Sequence, residues 1–310
     1  MSVLIGIVGP TGSGKSELAI AVAARCNGEI VNYDSIQFYR HFDIGAAKLA
    51  PAARRGIPHH LIDILEPHEV STAGEFARRA AACVGEIRDR GRLPVLAGGT
   101  GFYLRALLEG LFPGPTRDAL LRRRLAARPP ERLHRLLRRL DPASSRKIHP
   151  HDVPKMIRAL EVTLLARRPI SELYALGRAR LLEGFTVLKL GLDPGRNALY
   201  DRINRRTDAM FACGLIEETR QIVERFGDTC KPLESHGYRQ ALQHLRGELS
   251  LPDAICNAQR DTRHYAKRQL TWFRREPDVR WVRGFGDDPA IQAEALTLAE
   301  PLAGGRSQQN

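Results

Sequence analysis

Gly9-Pro10-Thr11-Gly12-Ser13-Gly14-Lys15-Ser16 is the stretch on which the reading of this chain turns. The apolar run at 3–8 precedes it and reads as a buried strand, and Glu17-Leu18-Ala19-Ile20-Ala21-Val22 follows and reads as a helix. Strand, G-x-x-x-x-G-K-[ST], helix is the setting of a phosphate-binding loop. Its glycines let backbone N–H groups turn inward, and the helix N-terminus adds partial positive charge. Lys15 then reaches a terminal phosphate and Ser16 becomes the ligand for Mg²⁺. An ordinary Gly-rich turn is the plainer alternative, and the flanking strand and helix speak against it. The loop implies a bound diphosphate or triphosphate and leaves its fate open.

Working outward, residues 28–35 read as a short strand ending in an acid. Strand C-termini in an open parallel sheet face the ligand crevice, so Asp34 is expected beside the loop. A capping Asp at a turn is the alternative. Residues 58–64 read as another strand, and 71–90 as a helix with Phe76, Ala80, Val84 and Ile87 on one face. Leu93-Pro94-Val95-Leu96-Ala97 reads as a buried strand followed by Gly98-Gly99-Thr100. A P-loop ATPase would end such a strand with an acid for its Mg²⁺. Its absence weakens the ATPase reading. The fold class is α/β: a P-loop NTPase-like parallel sheet flanked by helices, with a small all-helical basic insertion.

A length of 310 residues suits a main domain plus such an elaboration, and the formal charge of +13 suggests a polyanionic partner. Pro113-Gly114-Pro115 marks the junction between a core at 1–114 and the insertion at 115–190. The insertion holds 18 Lys or Arg against 7 Asp or Glu, +11 of the total. Leu120, Leu121 and Leu125, then Leu133, Leu136, Leu137 and Leu140, then Met156, Ile157, Leu160, Leu164 and Leu165 repeat at helical spacing among these charges. A charge run is usually a solvated face, but segregation this strong favours contact with a phosphate backbone. Residues 185–192 return to strand character, 191–303 continue the core, and 304–310 form a polar, disordered tail. In the helix at 199–210, Arg202 and Arg205 share a face at i, i+3 and are candidates to grip one anion; pairing with Asp201 or Asp208 is the alternative. The helix at 255–275 interleaves Lys267, Arg268, Arg274 and Arg275 with Tyr265, Trp272 and Phe273, which suits either nucleic acid or a core. Five scattered cysteines read as free thiols of a cytoplasmic protein, and neither a signal peptide nor a membrane span is evident. The histidine pairs lack companions at zinc spacing.

The order and spacing of 9–16, 34–39, 43–48, 58–63, 98–103, 148–152, 158–161, 237–240 and 267–272 resemble the bacterial tRNA dimethylallyltransferases, or tRNA isopentenyltransferases, from the loop to about Trp281. The resemblance implies transfer of a dimethylallyl group from its diphosphate to N6 of the adenosine 3′ of the anticodon. It implies Mg²⁺ as cofactor, the anticodon stem-loop of tRNA as partner, and no obligate protein partner. Lys15, Ser16 with its metal, Arg205 and Arg202 would neutralise the leaving diphosphate held by residues 9–16. Asp34 would be the general base and Thr100 a positioning group. The adenosine would be flipped into the site. Asp34, Ser35, Ile36, Gln37, Thr100, Lys155, Arg158, Gly237, Tyr238, Arg239, Lys267, Arg268, Gln269, Trp272 and Arg274 are the candidates for holding the tRNA. The chain departs from the family pattern at Asn32-Tyr33, Ala46, Pro154-Lys155 and Ser235-His236, which bears on the contacts to the anticodon loop. Three other readings compete: a P-loop small-molecule kinase, an isopentenyltransferase acting on free adenine nucleotides, and a non-catalytic RNA-binding protein. The kinase and the free-nucleotide enzyme have no use for the basic insertion, and the non-catalytic protein has none for Lys15, Ser16, Asp34 and Thr100 together.

Overall fold

The structure, a computed structural model, describes residues 2–304. They separate into two compact units, one made of residues up to Leu107 and from Leu182 on, the other of Leu108–Leu181.

The first unit is built on strands β1 (Ser2–Val8), β2 (Gly28–Asn32), β3 (His59–His60), β4 (Leu93–Ala97), β5 (Phe185–Leu192) and β6 (Val279–Val282). They form one sheet in the order β3-β2-β4-β1-β5-β6, with every pairing parallel. β1 is central, which explains its unbroken apolar run: a parallel strand covered on both faces has no polar side to show. Helix α1 (Lys15–Arg25) leaves the loop after β1, and α2 (Ala73–Asp89) starts at a capping box in which Thr72 and Glu75 satisfy each other's backbone N–H. Its face of Phe76, Ala80, Val84 and Ile87 is buried, as the periodicity requires. Val3, Ile5 and Ile7 of β1, Leu18 and Val22 of α1, and Val95 of β4 share one core cluster. Ala295 and Ala299, from the last helix of the chain, join them.

The strand expected over 58–64 is only two residues long. Leu61 and Asp63 take positive φ values of 60° and 56°, which no strand continues through. α3 (Gly101–Leu108) closes the first crossing into the second unit.

That second unit holds α4 (Ala119–Ala126), α5 (Pro130–Leu140), α6 (Pro142–Lys147), α7 (Val153–Ala166) and α8 (Ile170–Ala175). The boundaries expected at 115 and 190 therefore move to Leu108 and Leu181, and 185–190 belong to β5 of the sheet. Pro113-Gly114-Pro115 lies inside the unit. Its entry and exit segments meet in an antiparallel bridge between Leu111 and Ala179. Leu125, Leu133, Leu137, Met156, Ile157 and Leu160 pack as expected around Ile170. Leu120, Leu164 and Leu165 do not; they stay exposed, so the apolar stripe is narrower than the leucine spacing suggests. Two buried carboxylates tie the unit together. Glu161 accepts from Arg122 and Arg158, and Asp141 from the backbone N–H and hydroxyl of both Ser144 and Ser171. Desolvation would raise the Asp141 pKa, but these four donors outweigh it and hold the carboxyl below its ordinary range.

In the first unit the chain continues as α9 (Arg196–Ala212), α10 (Leu215–Phe226), α11 (Tyr238–Leu245), α12 (Leu251–Phe273) and α13 (Pro289–Gly304). Gly304 ends α13 instead of opening a tail, and 305–310 lie outside the described residues. No helix among the described residues is long and apolar enough to cross a membrane.

Candidate active site

Lys15, Ser16, Asp34 and Gln37 line one cavity of about 690 Å³ in the first unit. Gly14 opens it. Its φ of 85° lets the chain turn into α1, and a Cβ there would come within 2.7 Å of Gly286 N, so only glycine leaves room for the loop after β6. Gly286 N–H in turn donates to Ser13 O at 2.9 Å, which fixes the phosphate loop from outside. Gly9, Pro10 and Ser13 build this turn from behind, while Thr11, Gly12, Gly14, Lys15 and Ser16 face the cavity.

The Lys15 ammonium donates to Pro10 O at 2.8 Å. Desolvation lowers its pKa to about 8, against the opposing pull of Asp34. Between pH 8 and the ordinary 10.5 the unfolded chain holds this proton and the folded one does not. Folding is therefore penalised below pH 8, and the penalty fades as pH rises to 10.5. Binding of an anion reverses the shift, so inorganic diphosphate is expected to bind with proton uptake at about pH 9 and more weakly above it. Calorimetry in two buffers of different ionisation enthalpy reads this directly. A binding enthalpy independent of buffer would refute it.

Arginine placement differs from the sequence expectation. Arg205 is exposed, whereas Arg202 and Arg206 line the cavity. The reason is helix phase: α9 buries Leu199, Ile203, Thr207 and Phe211, and 202 and 206 flank that stripe while 205 lies away from it. The Arg206 Nη2 donates to Thr11 Oγ1 at 2.7 Å, and its Nε is buried without a partner. Desolvation pulls its pKa down from the guanidinium value, with Glu17 and Asp34 acting the other way. Arg202 pairs with neither Asp201 nor Asp208. It forms a two-pronged ion pair with Asp287 at 2.6 and 2.8 Å and lies 3.8 Å over the Phe285 ring. Arg206 and Asp287 were both missed. The spacing of Leu199, Ile203 and Phe211 was a usable signal for the first; a partner 85 residues away left none for the second.

Asp34 sits two residues past β2 and is held on one side only. Its N–H donates to Asn32 Oδ1, its Oδ1 accepts from Ile36 N–H at 3.0 Å, and its Oδ2 has no protein donor among the described residues. Gly98 passes so close to the Tyr33–Asp34 peptide that a Cβ would meet it at 2.5 Å, which is why this strand ends in glycine rather than an acid. Thr100 does not line the cavity. It binds the Ser35 N–H and hydroxyl at 3.2 Å each and so braces the Asp34 loop from behind. Ser35, Ile36 and Gln37 do line it, Gln37 donating to Ala46 O.

The remaining candidates divide. Gly237 faces the cavity. Tyr238 is fully buried, its ring against Gly45 and its hydroxyl on Glu218, a carboxylate that also collects the N–H groups of Asp43, Ile44 and Gly45. Gln269 is buried too: it accepts from Thr11 N–H and donates to Gly99 O, both at 2.7 Å, joining the phosphate loop to the end of β4. Trp272 packs on Gly101 beneath Arg105. Tyr238 and Gln269 are buried in the fold, and Trp272 is half-buried. Arg158 is committed to Glu161 in the second unit. Lys155, Arg239, Lys267, Arg268 and Arg274 stay exposed, with Lys155, Arg239 and Arg274 paired to Asp152, Asp261 and Asp193.

Comparison with known proteins gives a consistent result. The family model described as IPP transferase matches residues 37–276. The tRNA dimethylallyltransferase of Solibacter usitatus is 60% identical over 97% of this chain and 99% of its own, and that of Koribacter versatilis 54% over 95% and 97%. Among solved structures, the tRNA isopentenylpyrophosphate transferase of Bacillus halodurans superposes with a TM-score of 0.74 at 36% identity, covering 99% of both chains. A eukaryotic dimethylallyltransferase acting on tRNA superposes with a TM-score of 0.84 at 26% identity, covering 100% of this chain and 82% of that one.

Proposed function

The chain belongs to the tRNA dimethylallyltransferase family of prenyltransferases, and from that premise we propose that it transfers a dimethylallyl group from dimethylallyl diphosphate to N6 of the adenosine 3′ of the anticodon. The observation that carries this reading is the pairing, in one cavity, of an anion site with an acid whose second oxygen is free. The phosphate loop, Lys15 and Arg206 hold the diphosphate and take up its charge as the allylic C–O bond breaks. Arg202 flanks them. Asp34 Oδ2 removes the N6 proton as the new C–N bond forms, because an exocyclic adenine amine is a poor nucleophile while it keeps both hydrogens. Mg²⁺ fits the donor chemistry: the Ser16 hydroxyl faces the cavity next to Lys15, and the diphosphate supplies further oxygens. Bound there, the ion adds charge neutralisation at the leaving group. Five free thiols suit a reducing, tRNA-containing cytoplasm.

The second unit is proposed to grip the anticodon stem. It retains 17 Lys or Arg against 7 Asp or Glu, and Arg123, Arg124, Arg132, Arg135, Arg138 and Arg139 are exposed on α4 and α5 with no ion pair among the described residues. Unpaired surface arginines release counterions when they meet phosphates. tRNA affinity is therefore expected to drop by about a hundredfold or more between 50 and 200 mM salt. A filter-binding titration that stays flat over this range would remove the second unit from phosphate recognition.

The test of the function is incubation with dimethylallyl diphosphate, Mg²⁺, unmodified tRNA and AMP, followed by mass spectrometry of the nucleosides. An adenosine heavier by one prenyl group, from tRNA alone, is expected. Prenylated AMP would transfer the assignment to an enzyme of free nucleotides.

A further inference from the structure

His236 stands in the cavity wall, and neither of its ring nitrogens meets a protein partner among the described residues; Nδ1 is fully buried in that state. Its ring rests on Tyr265 at 5.3 Å between centroids, tilted by 49°. The Tyr265 hydroxyl donates to Gly99 O, and Asp34 Oδ2 comes within 3.0 Å of where a side chain at Gly99 would begin. One stretch of wall thus runs from His236 through Tyr265 to the carboxylate that acts as base.

The protonation of this histidine follows from its surroundings. Burial lowers its pKa, as do Arg239 and Arg268, with Asp261 opposing. The imidazole is neutral at ordinary pH and carries a single N–H. A buried, unpaired N–H costs more than a buried bare lone pair. The proton therefore belongs on Nε2, and the bare lone pair on the enclosed Nδ1. The ring offers the cavity a hydrogen-bond donor with no acceptor among the described residues to receive it.

We propose that His236 is a specificity-determining residue, donating its Nε2–H to a ring nitrogen of the purine whose amine Asp34 deprotonates. This rests on the reading that the tRNA adenosine enters this cavity. Adenine suits the donor because N1, N3 and N7 are all bare acceptors; aimed at N1 the donor also rejects guanine, which carries a hydrogen there while its N3 and N7 remain acceptors. A site with an unmatched donor rejects a base that cannot receive it more strongly than an apolar wall would.

The test uses the full chain with anticodon stem-loop RNAs carrying adenosine, 1-deaza-, 3-deaza- or 7-deazaadenosine at the acceptor position. Wild type, His236→Val and His236→Gln are compared by kcat/KM for RNA and KM for dimethylallyl diphosphate, with thermal melts to confirm folding. His236→Val is expected to lose about tenfold on adenosine. It should then show no further loss on the one deaza base whose missing nitrogen costs the wild type a similar factor. His236→Gln keeps an N–H donor and should recover part of the rate. KM for the diphosphate should stay fixed throughout. Additive losses for every deaza base, full activity of His236→Val, or an effect confined to the diphosphate KM would each overturn the proposal. A wild type that leaves the adenosine RNA unmodified would overturn the acceptor reading itself and this proposal with it.

Discussion

Asp34→Asn lowers prenyl transfer by about two to four orders of magnitude while tRNA affinity changes little. The substitution is chosen for its geometry. Asparagine can present its Oδ1 to the Ile36 N–H as aspartate does at 3.0 Å, so the turn after β2 survives. What disappears is the basicity of the second oxygen, which is free in the native protein. General-base contributions to proton transfer have the stated size, and loss of shape contributes nothing here. Single-turnover rates and filter binding separate the two effects. A variant that turns over at the wild-type rate removes Asp34 from the chemistry. A fall in tRNA affinity that matches the fall in rate makes it a binding residue instead.

Arg206→Ala is expected to cost about two to three orders of magnitude in kcat, and Arg205→Ala almost nothing. Arg206 has one donor on Thr11 and another, Nε, buried with no acceptor. A desolvated cation with an unused N–H beside a phosphate loop stabilises charge that develops on a leaving diphosphate far better than an exposed one does. Arg205 is solvated and two positions away around the helix from the buried stripe. Steady-state kinetics of both variants with dimethylallyl diphosphate decides between them. A large loss in Arg205→Ala with an intact Arg206→Ala would mean α9 turns a different face to the site.

That pair shows where a sequence can be read and where it stops. The phosphate loop is legible because its chemistry is in the backbone: glycine positions, one lysine and one hydroxyl over eight residues. Asp34 was legible for a similar reason, as the acid at the end of an apolar run. Pairing Arg202 with Arg205 by their i, i+3 spacing leaves helix phase unused; the apolar stripe at Leu199, Ile203 and Phe211 points to Arg206 as the arginine beside the cavity. Gln269 was a different case. It reads as part of a basic aromatic helix, yet it is spent on Thr11, 258 residues earlier in the chain, and no local pattern announces such a partner. For Trp272 the pattern leaves both readings open, since an aromatic beside arginines looks alike whether it faces RNA or packs on a glycine such as Gly101. The basic unit was legible from charge alone, but its edges were not, because Pro113-Gly114-Pro115 is irregular backbone within it.

The bridge between Leu111 and Ala179 has a consequence for how this gene can change. The segments that open and close the second unit meet at this single bridge, so the long excursion between them adds little more loop-closure entropy than a short hairpin would. Such a segment can be lengthened, replaced by its counterpart from a relative or deleted behind a short linker without disturbing the register of the parallel sheet. Selection on the basic surface is thereby free to act on one module, and selection on the cavity on another.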